Sequence, residues 1–219
     1  MKKYKYLVLV LGIVLLTGCG KTKVVEKKIS ELSNIKNQMV SKLKDYSYEV
    51  VYEVLNQEEN INTLKLECST DLNNRTAHCV TKNPNYDVEK YIDYDNRFQI
   101  YRNVYDNGNK MEWQYANRYV NSNPNHWLNN VDLISDLVKK EEKDGVYYTG
   151  IINRPIDFVN SLFEVYENAR IEDSKLEVSV FINKDGNIES FKTKYDDDKK
   201  IEIIFKDFNK EISIEFPTV

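Results

Sequence analysis

Hydrophobic positions along this chain follow two spacings, one of three to four residues and one of two. Ile29, Leu32, Ile35, Met39 and Leu43 recur at threes and fours, which is one face of an α-helix. Ser30 or Ser33 can cap its start. After Asp45 the period drops to two. Tyr46, Tyr48, Val50, Tyr52 and Val54 alternate with Ser47, Glu49 and Glu53, predicting a strand with one dry and one wet face. Residues 56–60 turn the chain. The next strand is expected over 61–69, with Leu64, Leu66 and Cys68 on one face and Lys65 and Glu67 on the other. Strands over 88–94, 98–105 and 111–115 follow, joined at Asp95-Asn96 and at Asp106-Asn107-Gly108-Asn109. Asn-Gly between apolar runs is a strong hairpin signal.

The period then lengthens again. Asn123-Pro124 reads as a cap followed by proline at the first helical position. Trp127, Val131, Ile134 and Leu137 predict a helix that ends over 139–144, before Gly145. A strand is expected over 146–152. Pro155 opens a second expected helix, 156–166, apolar over much of its surface, with Phe158, Leu162 and Phe163 among its residues. Such a helix needs burial on more than one side. The last third alternates once more, with strands over 176–183, 187–195, 201–208 and 211–216. Ile212, Ile214 and Phe216 of the last are expected to face inward. No repeat or linker divides this stretch. The predicted class is α+β: a curved antiparallel sheet, an incomplete β-barrel, with an N-terminal helix and two mid-chain helices on its concave side.

The hairpin after residue 69 makes a sharper expectation. Asp71-Leu72-Asn73-Asn74-Arg75-Thr76 is turn-forming. A hairpin centred between Asn73 and Asn74 places Cys68 directly opposite Cys79, on the face of Leu64, Leu66 and Ala77. A two-residue loop makes this a hydrogen-bonded pair about 5.5 Å apart at Cα; a four-residue loop makes it the closer pair, about 4.5 Å. Both lie within disulfide reach. The competing reading is two reduced, unlinked thiols.

At the N-terminus, Lys2, Lys3 and Lys5 precede an apolar run from Leu7 to Leu16. An apolar core of about ten residues suits a secretory signal, whereas a spanning helix needs about 20. The run closes on Leu16-Thr17-Gly18-Cys19, which resembles a bacterial lipobox. The resemblance implies removal of residues 1–18, acylation of Cys19, and attachment to the extracytoplasmic face of a cell membrane. An uncleaved membrane helix is the alternative, and Cys19 directly after Thr17-Gly18 argues against it. Two or more acyl chains anchor stably where one is marginal. The expected organisation is a signal peptide (1–18), a polar tether (19–28) and one domain (29–219).

Composition narrows the function. The chain has 31 basic and 35 acidic residues. Without Lys2, Lys3 and Lys5 that becomes 28 against 35, a net charge of −7. An acidic exported chain is a poor candidate for binding nucleic acid or anionic lipid headgroups through charge. His78 and His126 are the two histidines; neither has a partner at metal-ligand spacing, and both are expected at the surface. Nucleophile-elbow, zinc-protease, redox and phosphate-loop motifs are absent. Asn183-Lys184-Asp185-Gly186 has the composition of a calcium loop without its ligand spacing, and a hairpin turn accounts for it. No catalytic residue, metal or cofactor is expected, and the chain is read as a non-enzyme.

The element order of 29–219, and the closing Phe208-Asn209, Ile212, Ile214 and Phe216-Pro217, resemble the half-barrel of the LolA/LolB lipoprotein carriers and the mycobacterial LppX/LprG-type lipid-binding lipoproteins. The resemblance implies binding or carrying a hydrophobic ligand in the concavity. From the residues themselves, a crevice is expected between the helices (Trp127, Val131, Ile134, Phe158, Leu162, Phe163) and the sheet (Val50, Tyr52, Leu66). The alternative is a surface lipoprotein of the same fold with a filled core, acting through protein contacts.

Overall fold

The computed structural model describes residues 30–55, 61–83, 86–116, 123–153, 175–195 and 199–218. The first element is helix α1, Glu31–Val40. Of the two serines that could cap it, Ser30 does so: its Oγ accepts from the Ser33 N–H at 3.0 Å. Leu32 and Met39 are buried, as the spacing predicts.

Among the described residues eleven strands follow: β1 Asp45–Leu55, β2 Ile61–Asp71, β3 Thr76–Lys82, β4 Tyr86–Asp93, β5 Phe98–Tyr105, β6 Gln114–Tyr115, β7 Ile134–Glu142, β8 Gly145–Asn153, β9 Lys175–Asn183, β10 Ile188–Tyr195 and β11 Lys199–Lys206. Between β6 and β7 lies a short helix, α2, His126–Asn129, which runs into a 3-10 turn, Asn130–Leu133. The strands form one curved antiparallel sheet in the order β6-β5-β4-β3-β2-β1-β11-β10-β9-β8-β7. Two meanders therefore meet where β1 pairs with β11. This is the open antiparallel sheet that the alternation predicts, with less helix among the described residues than the α+β expectation held.

Register fixes which residues share a face. Tyr48 stands opposite Cys68 on one side and Phe205 on the other. Val50 stands opposite Leu66 and Ile203. Continuing outward, this inner face carries Ala77, Cys79, Ile92, Phe191, Val178, Val180, Tyr148 and Ile152, all buried in one hydrophobic core with Leu32, Met39, Trp127, Leu128 and Val131. The outer face of the same strands carries the charge: Lys65 bridges Glu49 and Glu67, and Lys192 pairs with Glu202.

The β2–β3 hairpin has a four-residue loop, closed by the pair Asp71 and Thr76. Cys68 and Cys79 are register partners with Cα atoms 4.1 Å apart, and they form a disulfide. This is the closer of the two pair types considered above.

Three expectations need correction. The stripe from Trp127 to Leu137 is not one helix: helical structure ends at Leu133, and Ile134–Glu142 is strand β7. As a strand, 134–142 gains a ladder of backbone hydrogen bonds with β8, from Ile134 opposite Ile152 to Glu142 opposite Gly145, which a helix would forfeit. Gly150 permits the close approach of these strands, since a Cβ there would meet Ile134 Cγ2 and the Ser135 carbonyl at 2.5 Å each. Second, 211–216 has no regular secondary structure and joins no ladder; Phe216 packs on the outer face. Third, strand structure within 111–115 is limited to Gln114–Tyr115. The helix expected over 156–166 lies outside the described residues.

β7 is a sheet edge. A register shift between Ser135 and Val138, with Asp136 at φ +53°, and the run Lys139-Lys140-Glu141-Glu142 interrupt its pairing surface. Bulges and charges of this kind guard an edge against pairing with other chains.

Candidate functional site

Helix α2 is set on the inner face by aromatic residues of β1. The Tyr46 hydroxyl donates to the Pro124 carbonyl at 2.7 Å, which fixes the chain just ahead of the helix. The Trp127 ring lies 6.4 Å from Tyr48, and Tyr48 lies 6.4 Å from Phe205. Trp127 is fully buried, and its indole N–H has no hydrogen-bond partner among the described residues. His126 is also buried, 5.5 Å from Trp127, with Nδ1 3.1 Å from the Asn123 carbonyl oxygen. Its expected surface position is therefore wrong: the turn at Asn123 rolls the ring under the chain.

Helix α1 lies beside α2 and is tied down at its middle and at its start. Lys36, buried, donates to Asn129 Oδ1 at 3.2 Å and forms an ion pair with Asp132. At the start of α1, Glu31 Oε1 accepts from the Tyr148 hydroxyl at 2.7 Å. That hydrogen bond, helped by Lys139, lowers the Glu31 pKa below the usual carboxylate value. Burial and the same contact raise the Tyr148 pKa.

Of the residues expected to line a crevice, Trp127, Val131, Ile134, Val50 and Leu66 all join the inner-face core. Tyr52 holds the β1 position opposite Leu64 and Ile201. Phe158, Leu162, Phe163 and Cys19 lie outside the described residues. One cleft on this side, about 260 Å³, lies between the C-terminal half of α1 and the β9–β10 turn, bounded by Ile35, Met39, Leu43 and Ile182. A larger one, about 590 Å³, opens along β8 to β11. Trp127, Val131, Val50 and Leu66 line neither of these two.

The outer face holds a cluster that the pattern analysis misses. Glu89 on β4 accepts from Arg102 Nε at 2.7 Å and from Nη2 at 2.6 Å, and its other oxygen lies 3.0 Å from His78 Nε2. Burial pushes the Glu89 pKa up, but Arg102 and then His78 outweigh it, and the net shift is downward. Arg102 also sits 4.2 Å from the centre of the Trp113 ring. Tyr91 packs against His78, Trp113 and Phe216, and Phe216 against Phe98. Ile100, opposite Tyr91 and Tyr115, is buried there. The sequence signal was the second alternation set of β4 and β5, Glu89 and Tyr91 against Arg102 and Ile100. His78 is thus half-buried against the Glu89 carboxylate, whereas a wet surface site was expected.

The sheet order, the dry inner face and the helices laid on it make a large open antiparallel sheet with helices on one side. Solved structures similar to this chain include the lipoprotein LppX of Mycobacterium tuberculosis, at 12% identity and a TM-score of 0.49 over 84% of this chain and 96% of that one. They also include a LolA superfamily protein of Nitrosomonas europaea, at 6% identity and a TM-score of 0.30 over 83% of this chain and 94% of that one. No family model matches the chain, and no curated protein matches it.

Proposed function

We propose that this chain is an extracytoplasmic lipoprotein, anchored to a cell membrane through acylated Cys19, that binds or carries a hydrophobic ligand such as a lipid or its acyl chains. The supporting observation is the size of the dry face. From β3 to β8 it spans seven strands, roughly 29 Å wide at about 4.8 Å per strand and roughly 26 Å long. Helix α1 is ten residues, a footprint of about 15 Å by 10 Å. Together α1 and the α2 segment match less than half of that face. The sequence offers the apolar stretch 156–166 for part of the remainder, and an apolar ligand suits the rest. The reading involves no catalytic step: the protein holds its ligand by apolar burial.

The test reads Trp127 directly. With Trp113→Phe, Trp127 is the one indole left. Adding long-chain lipid to the acylated full-length protein shifts its emission and raises the melting temperature, because a ligand bound only by the folded state stabilises that state. Cys19→Ala abolishes acyl labelling. Label persisting in that variant rejects the anchor. An unmoved spectrum and melting temperature across several lipid classes reject the carrier.

One observation favours a second reading, a filled-core lipoprotein acting through protein contacts: Trp127, Val131, Val50 and Leu66 are each at most 2% exposed. In that case purified protein yields no extractable lipid.

A further inference from the structure

The larger cleft lies on the face opposite Trp127. Two rows of outer-face residues run across the sheet there. In the first, Val138, Thr149, Ser179, Lys192 and Glu202 are successive register partners from β7 to β11. In the second, Ile151, Glu177, Lys194, Lys200 and Glu53 follow each other from β8 to β1. Thr149 and Ser179 are small and face each other, while their neighbours Tyr147 and Phe181 stack with centroids 4.7 Å apart. The contrast in size makes a depression, and the cleft of about 590 Å³ occupies it. That volume is in the range of small-molecule sites.

The charges at one end of the cleft are arranged unusually. Lys194 and Lys200 stand directly opposite each other on β10 and β11. Like charges so placed destabilise a sheet. Lys200 is offset by Glu53 at 3.1 Å, and Lys192 by Glu202 at 2.7 Å. Lys194 forms no ion pair with any described residue. Its register partner Glu177 lines the cleft without pairing with it, and Asp136 lies at the far, β7 end. An anion between Lys194 and Lys200 would relieve their repulsion. From between them to Ile151 and Val138 is two and a half to three and a half strand spacings, roughly 12–17 Å, about the length of a dodecyl chain, over a floor of Ser179, Thr149, Gly150 and Ile151 with Glu177 beside Lys194.

We infer that this outer cleft binds a single-chain anionic amphiphile, with its carboxylate or phosphate monoester between Lys194 and Lys200 and its chain toward Ile151 and Val138. The site is separate from the inner face and independent of the anchor.

The test is site-specific lysine footprinting. The acylated full-length protein, held in dodecyl maltoside, is acetylated at pH 8 with dodecyl phosphate, laurate or inorganic phosphate present, and modified lysines are read by mass spectrometry. Either amphiphile is expected to protect Lys194 and Lys200 at a concentration at least tenfold below that needed by inorganic phosphate, while exposed Lys143 stays reactive. The amphiphile that protects at the lower concentration identifies the head group. Thr149→Trp, which fills the depression at an exposed position, weakens protection at least tenfold without changing the circular dichroism. The proposal is overturned if neither amphiphile protects, if inorganic phosphate protects equally well, if Lys143 is protected to the same degree, or if Thr149→Trp binds as before. Trp127 emission reports the inner face separately, so failure at one site does not register as failure at the other.

Discussion

Arg75 Nε donates to Asp95 Oδ1 at 2.5 Å and so ties the β2–β3 loop to the β4–β5 loop beside it. The loops are built alike. Asp71 accepts from the Asn73 and Asn74 amides, and Asp93 from the Asn96 amide; each aspartate also holds the side chain of its asparagine, Asn74 or Asn96. Each loop ends on an arginine in the left-handed region, Arg75 at φ +52° and Arg97 at φ +54°.

The two arginines should respond differently to glycine. A left-handed non-glycine residue costs about 1–2 kcal/mol, offset by the roughly 0.5–1 kcal/mol that glycine loses in unfolded-chain entropy. Arg97→Gly is expected to raise stability by up to about 1 kcal/mol in urea melts. Arg75→Gly gives up the Asp95 contact and should show no gain. Equal gains would mean the inter-loop contact contributes nothing.

The disulfide closes a short ring, Cys68 and Cys79 being 11 residues apart. The chain-entropy model assigns it a little under ~3 kcal/mol. Cys68→Ser with Cys79→Ser should lower stability by about that much. Alkylation of the unfolded, unreduced protein should leave both thiols unmodified; modification of both would show that the bridge does not form.

Glu89 carries a pH dependence of known sign. Its folded pKa is lowered, so its contribution is present in full above the ordinary glutamate range, about 4.3, and is lost as pH falls through the lowered value. Glu89→Gln should cost about 2 kcal/mol at pH 7, the scale of a hydrogen-bonded charge. That deficit should narrow in strongly acid buffer, where the wild-type carboxyl is protonated too. A deficit that stays constant with pH would mean Arg102 and His78 do not sense the charge.

Lys36 and Asp132 allow a comparison of pair against half-pair. Breaking a buried pair is costlier than replacing it with apolar volume. Asp132→Ala leaves the buried Lys36 ammonium with Asn129 among the described residues; because the Asp132 side chain is 39% exposed and screened by water, the cost should be about 1–2 kcal/mol. The double change Lys36→Met with Asp132→Ala should recover most of it. Thermal melts that fall further in the double variant would show that the ion pair itself holds α1 in place.

The hairpins were legible because their alternation is regular and their loops carry Asp and Asn at positions that bond back to the backbone. Cys68 opposite Cys79 followed from the same register. Residues 134–142 were misread because Trp127, Val131, Ile134 and Leu137 happen to fit a helical stripe, although the last two belong to a strand whose preference is set by its neighbour β8. The outer cluster was hidden for a different reason. Tyr91 and Phe98 are covered by Phe216, and local alternation does not tell which distant segment crosses a wet face. The outer cleft depends on small residues lying opposite each other across β8 and β9, and those two strands are joined through 21 residues outside the described set.

The pairing of β1 with β11 sets an order of events for a chain that is synthesised N-terminus first. Tyr46, Tyr48 and Val50 emerge early, but the strand that flanks them on one side, with Ile201, Ile203 and Phe205, emerges among the last residues. Until then β1 has one bare edge and the first meander lacks its neighbour. Non-local pairings of this kind slow folding and leave apolar surface open meanwhile. The growing chain would therefore hold a half-finished sheet through most of its synthesis, and a chain truncated before residue 199 would stay in that state.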